Sequence, residues 1–208
     1  MSSETTSQVV RFSVAEHFAG AERFFQDHVD ACISCKGFAP VASAVPWDRL
    51  WAYLQEVAEQ GGLQDFSEVG TTWVGHFIDK KQLHCLSPVE IAKLGGQESF
   101  LPSAWQSTML INDDRAHAVP WLADTRVVYF WRSDLAAVNI DEADAFITPE
   151  KMEHTLAVLH EAGKPAWGAP TFQVNNNLHQ IASWIWSKGG DFLNVDGTQT
   201  ALLETAAL

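Results

Sequence analysis

Three side chains that suit a neutral polyhydroxylated ligand lie close together in the middle of the chain. Trp121, Asp124 and Arg126 come just before residues 127–131, a run of β-branched and aromatic side chains. An indole stacks on the C–H faces of a sugar, and carboxylate and guanidinium groups bind hydroxyls through charge-assisted hydrogen bonds. The run itself predicts a strand buried on both faces. An ordinary Arg–Asp pair beside a buried strand explains the same residues about as well.

A second set of candidate residues falls within LQDFSEVGTTWVGHF, residues 63–77. Strand-forming residues lead into Glu68, and Gly70 would let the backbone turn after it. Thr72 and the threonine before it can cap the next helix or bind a ligand hydroxyl, since a hydroxyl both donates and accepts. The two roles, a helix cap alone and a cap that also contacts the ligand, explain these threonines equally well. Trp73 closes the motif as a further stacking candidate.

The elements around these motifs alternate between strand and helix patterns. Strands are expected at 8–17 and 38–46, and helices at 18–35, 46–62, 88–94 and 148–163. A capping box of Ser87 and Glu90, with Pro88 between them, predicts the start of one helix. His17 ends the first strand, where it is a ligand candidate or an ordinary loop histidine.

Composition narrows the classes of partner. The net charge of −13 disfavours nucleic acid and anionic membranes. No apolar run approaches the length of a membrane-spanning helix. The polar N-terminus does not resemble a signal peptide, so either an export signal was removed or the chain is not exported. Cys32 and Cys35 form one C-x-x-C pair with Cys85 left over, which favours structural thiols over a metal site.

Four stretches, taken in order, resemble the family 1 extracellular solute-binding proteins, the sugar receptors of ABC importers. They are residues 63–77, residues 100–113 (FLPSAWQSTMLIND), residues 118–135 (A-x-P-W-x-x-D-T-R-x-x-Y-F-x-R-x-D-L) and residues 181–192 (IASWIWSKGGDF). The resemblance covers nearly the whole chain, but a full receptor is about twice as long.

The resemblance implies a truncated α/β fold of the type II periplasmic-binding-protein kind. Residues 1–118 would form an incomplete first lobe, 119–135 a hinge strand that crosses over, and 136–208 an incomplete, mostly helical second lobe. It also implies that a carbohydrate or similar solute binds between the lobes without a cofactor, and that the membrane subunits of an importer are partners. The ligand-binding residues would be Trp73, Trp121, Asp124 and Arg126, with His17, Glu68, Thr72 and Asn176 as weaker candidates.

Two other functions are considered. A front half of a receptor would expose apolar faces, so a homo-oligomer, formed by domain swapping or by sharing faces, is expected, with a vestigial site as the alternative to sugar binding. An enzyme of the glycosidase type could use Glu16, Asp65, Glu68 or Asp124 as paired carboxylates. Their spacing does not require this, and G-x-S-x-G, Walker A, H-E-x-x-H and G-x-G-x-x-G motifs are absent. No enzymatic activity is therefore predicted.

Overall fold

A computed structural model describes residues 8–33, 36–61, 64–168 and 174–201, except for the side chains of 174–177. The chain divides into two compact units, Met1–Trp121 and Leu122–Leu208.

The first unit is built on a parallel three-stranded sheet with strand order β2-β1-β3. Strand β1 (Gln8–Ala15) pairs along its whole length with β2 (Phe38–Val45), from Gln8 opposite Phe38 onward. Strand β3 (Phe66–Ser67) is short and pairs with β1 at Phe12 and Ser13. The last four residues of β1 are buried, because a central parallel strand is covered on both faces.

Two amphipathic helices cover opposite faces of this sheet. Helix α1 (Ala21–Ile33) packs Phe25 against Phe12 and Val14 of β1. Helix α2 (Trp47–Gln60) packs its buried leucines with Ala15, Val45 and Phe77. The predicted strands and helices of this region are confirmed, with ends shifted by a few residues.

Short helices complete the first unit. They are the 3-10 helix Thr71–Trp73, α3 (Val74–Asp79), α4 (Pro88–Lys93), the 3-10 helix Gln97–Ser99 and α5 (Pro102–Gln106). The predicted capping box is confirmed: the Ser87 hydroxyl accepts from the Glu90 N–H, and the Glu90 carboxylate accepts from the Ser87 N–H. The predicted threonine cap is wrong. Gly70 occupies the N-cap position before Thr71–Trp73, and no side chain caps that turn.

The described part of the second unit contains three helices. They are α6 (Arg132–Ala137), α7 (Pro149–Glu161) and α8 (Val174–Ser187). The core joins Leu135 and Ala145 to Leu159 of α7. Thr148 caps α7 by accepting from the Lys151 N–H. Within the part of the chain that the structure describes, no helix is long and apolar enough to cross a membrane.

The buried strand predicted at 127–131 is wrong. These residues lie in neither helix nor strand, and all five side chains are exposed, with Tyr129 at 91% and Trp131 at 78%. A strand buried on both faces needs hydrogen-bonding neighbours along both edges and cover on both faces. The described residues of the second unit contribute an isolated antiparallel bridge, Leu193 with Thr200, and no strand that pairs with this segment.

Candidate functional site

The candidate site lies where the three parallel strands end. Strand β1 ends at Ala15, β2 at Val45 and β3 at Ser67. Parallel strands bring their carboxyl ends to one edge of the sheet, and ligands of open α/β sheets bind outside that edge. Here the residues that follow are His17 after β1, Trp47 after β2 and Glu68 after β3.

A hydrogen-bonded histidine and glutamate form the polar centre of this edge. The Nε2 atom of His17 lies 2.8 Å and 3.0 Å from the two carboxylate oxygens of Glu68. The same carboxylate accepts from the Ala15 N–H at 2.8 Å. The Glu68 side chain is 7% exposed and that of His17 is 27% exposed. The structure therefore brings two of the predicted site residues into direct contact.

Aromatic rings extend from both sides of this pair. Trp121 contacts Phe25 at a centroid distance of 5.0 Å, and the ring of Phe25 lies 6.5 Å from that of His17. On the other side, the ring centroids of His17 and Trp47 lie 5.5 Å apart in an edge-to-face arrangement, and those of Trp47 and Trp73 lie 6.4 Å apart. We call these five residues the aromatic row. Trp47 and Trp121 are each about half exposed, which leaves indole surface free for contact.

The placement of Trp73 explains the glycine before it. Gly70 has φ −63° and ψ 136°, a conformation that any residue adopts, so the expected need for a special turn is wrong. A Cβ at this position would instead lie 3.2 Å from ring carbons of Trp73. Any larger residue at position 70 would therefore press against the indole. Thr72, the adjacent candidate, is exposed and makes no cap.

Trp47 is not among the predicted site residues. Its helical spacing within α2 is typical of a core position, although a residue at the start of a helix can also reach the cleft. It is 47% exposed and contacts both His17 and Trp73. The available signal was its position directly after a predicted strand and a proline, which places the first helical residue at the carboxyl edge.

The remaining candidates belong to the second unit. Arg126 Nη2 lies 3.7 Å from Asp124 Oδ2, and both side chains are more than half exposed. An exposed pair at this distance contributes little to stability. Asn176 falls in helix α8, and its side chain is outside the described residues.

Two of the acidic residues considered for catalysis, Asp65 and Glu68, have structural partners. Asp65 accepts from the Arg11 N–H at 2.7 Å, and Glu68 is bound as described above. Across the described ranges, no group of three or more His, Cys, Asp and Glu is arranged to hold a metal ion. Cys32 and Cys85 are exposed free thiols, and Cys35 lies outside the described residues.

Comparison with solved structures decides the fold. The chain is similar to a sugar transporter protein of Arthrobacter chlorophenolicus A6 with bound laminaribiose, at a TM-score of 0.71 and 15% identity over 96% of this chain and 50% of that one. It is equally similar, at a TM-score of 0.71 and 13% identity, to an ABC transporter solute-binding protein of Thermotoga lettingae TMO with bound α-D-tagatose, over 97% and 51% of the two chains. The chain has the solute-binding-protein fold. The predicted resemblance and α/β class are confirmed.

Further relatives agree with this solute-binding-protein fold. A cyclic α-maltosyl-1,6-maltose binding protein of Arthrobacter globiformis matches at a TM-score of 0.67 and 18% identity over 96% of this chain and 51% of that one. In sequence, the chain is 22% identical over 201 residues to a protein of Brucella abortus (strain 2308) provisionally named a binding protein. The match spans 95% of this chain and 47% of the relative, so the chain covers about half the length of the proteins it matches. No family model matches the sequence.

Proposed function

We propose that the chain binds a carbohydrate or a similar polyhydroxylated solute at the carboxyl edge of the sheet in its first unit. The observation that carries this proposal is the aromatic row, with His17 and its partner Glu68 at the centre. Flat indole surfaces beside a hydrogen-bonding group match the alternating C–H faces and hydroxyls of a sugar. The solved neighbours bind laminaribiose, tagatose and a cyclic maltosyl-maltose, which supports the same ligand class.

The proposal also assigns roles to the candidates outside the aromatic row. Asp124, Arg126 and Asn176 would bind hydroxyls, and Thr72 would do so from its exposed position. Binding would need no cofactor. As a receptor for an ABC importer, the protein would deliver its solute to membrane subunits.

The ligand class is tested by a thermal-shift screen followed by calorimetry. The panel contains laminaribiose, D-tagatose, maltooligosaccharides, sugar alcohols and sugar phosphates. A solute that binds the folded state alone raises the melting temperature in a saturable way. The sugar that gives the largest shift is then titrated by calorimetry into the wild type and the variants.

Trp121→Ala is expected to abolish binding of that sugar without unfolding the chain. Trp121 is 50% exposed and packs against one ring, Phe25, so its loss removes stacking surface and little core. Trp186→Ala is the matched control, since Trp186 is 58% exposed and lies on α8 outside the aromatic row. Unchanged affinity in Trp121→Ala would reject this residue as a ligand contact, and a panel without any shift would reject sugar binding.

A second candidate function is that of an oligomerising module with a vestigial sugar site. The observation that favours it is the exposure of all five side chains in residues 127–131, which includes two large aromatic rings above three-quarters exposed. Such a patch is typical of a surface that pairs with another chain. In this alternative the protein forms homo-oligomers, and its oligomeric state in solution is the test.

A further inference from the structure

The pairing of His17 with Glu68 fixes which ring nitrogen carries a proton. An ionised carboxylate only accepts hydrogen bonds, so Nε2, which contacts both oxygens of Glu68, must be the donor. In a neutral imidazole the other nitrogen then carries a lone pair and accepts. The Nδ1 atom of His17 makes no hydrogen bond to any residue that the structure describes.

Glu68 is held by the protein at three points. Its backbone N–H donates to the Ser13 carbonyl at 2.7 Å, and its carboxylate accepts from the Ala15 N–H and from His17. With a side chain only 7% exposed, the carboxylate has little surface left for a ligand. Its bonds are directed to β1 and to the histidine that follows this strand.

We propose that Glu68 is a positioning residue that acts through His17. It holds the imidazole as the Nε2–H tautomer and leaves Nδ1 as a hydrogen-bond acceptor for a hydroxyl of the solute. This deepens the proposed function and rests on it for the identity of the solute. The expected ligand donates a hydroxyl hydrogen to Nδ1. Anionic solutes are disfavoured, because a lone pair and the nearby Glu68 charge both repel them.

The tautomer is measured in the free protein by long-range proton–nitrogen correlation NMR at about pH 8. The wild-type spectrum should show His17 with the proton on Nε2. Glu68→Gln keeps the shape of the side chain, but its amide either accepts from the ring or donates to it, so a mixture with the Nδ1–H tautomer is expected. Glu59→Gln, an exposed change of the same kind on α2, should leave the tautomer unchanged.

Either of two spectra would overturn the assignment: a wild-type His17 protonated on Nδ1, or an Nε2–H tautomer that persists unchanged in a folded Glu68→Gln. If that variant does not fold, the wild-type spectrum still decides the tautomer. A titration with D-tagatose then tests the acceptor role, because a hydroxyl bound at Nδ1 moves its nitrogen signal upfield. Binding of this sugar without movement of the signal would contradict that role. Failure of every sugar in the panel to bind would contradict the proposed function and not the tautomer.

Discussion

The position of the Trp73 indole depends on the absence of a Cβ at Gly70. The ring carbons of Trp73 lie 3.2 Å from the place where a Cβ would stand, so Gly70→Ala must displace the indole by a few tenths of an ångström. The backbone is already in a conformation that alanine accepts, so the expected loss of stability is about 1 kcal/mol. If Trp73 contacts the solute, affinity should fall by up to about tenfold, the equivalent of one aromatic contact.

Calorimetry on Gly70→Ala, with urea unfolding alongside, checks this expectation. Gly75→Ala on α3 is the matched control, since its Cβ would make ordinary contact with Leu110 at 3.5 Å. It should leave affinity unchanged and increase stability, because alanine favours a helix over glycine by about 1 kcal/mol. Equal affinities for Gly70→Ala and the wild type would remove Trp73 from the site.

At the level of single residues, the sequence predicted in part which side chains lie at the carboxyl edge. His17, Glu68, Trp73 and Trp121 were candidates because of their side-chain types and the resemblance to the solute-binding proteins. Their partners were not predictable from types or spacing. The hydrogen bond of His17 with Glu68 spans 51 positions and depends on the register of β1 with β3. The helical spacing of Trp47 fits a core position and also a place at the start of the helix that faces the cleft, because periodicity does not separate a helix's buried stripe from its first exposed turn.

Among the elements, helix α4 depends on a charged cap. Hydrogen bonds from the Ser87 N–H, the Ser87 hydroxyl and His84 lower the pKa of Glu90 from 4.5 to about 2. A carboxyl group with a lower pKa in the folded state stabilises the fold above pH 4.5 and loses that contribution as the pH falls toward 2. Glu90→Gln should therefore lower the melting temperature at pH 6, and the difference from wild type should shrink between pH 4.5 and 3.

Thermal melts of both proteins across this pH range measure the effect. The difference should be small, because the carboxylate is exposed to solvent and its interactions are screened. Glu59→Gln on α2 controls for the loss of one negative charge. A difference between Glu90→Gln and wild type that stays constant from pH 6 to pH 3 would show that the ionised cap does not cause it.

Helices and strands were predicted correctly where the signals that determine them lie within a few residues in the sequence. The helix start at Ser87 and the alternation of β1, α1, β2 and α2 follow from caps and apolar periodicity, which lie within a few residues. Residues 127–131 have the composition of a buried strand, but burial requires neighbours elsewhere in the chain. The described residues contain no strand that pairs with this segment. Its high strand propensity therefore predicted a strand that does not form.

On the scale of the whole molecule, this unpaired segment predicts self-association. Residues 127–131 combine high strand propensity with exposed aromatic surface and lie outside any strand, features that favour pairing with another chain. We expect a concentration-dependent dimer in sedimentation equilibrium. Replacing Tyr129 and Trp131 together by lysine should shift the protein to monomer, because lysine on an exposed edge opposes pairing.

Val195→Lys provides the control, because Val195 is as exposed as Tyr129, at 91%, and lies outside the segment. This variant should sediment like the wild type. A wild type that remains monomeric at every concentration would reject the oligomerising module. A dimer that persists in the double variant would place the interface elsewhere. If the double variant is monomeric and still binds sugar, the two proposals are separate, because the first unit then holds its ligand without a second copy.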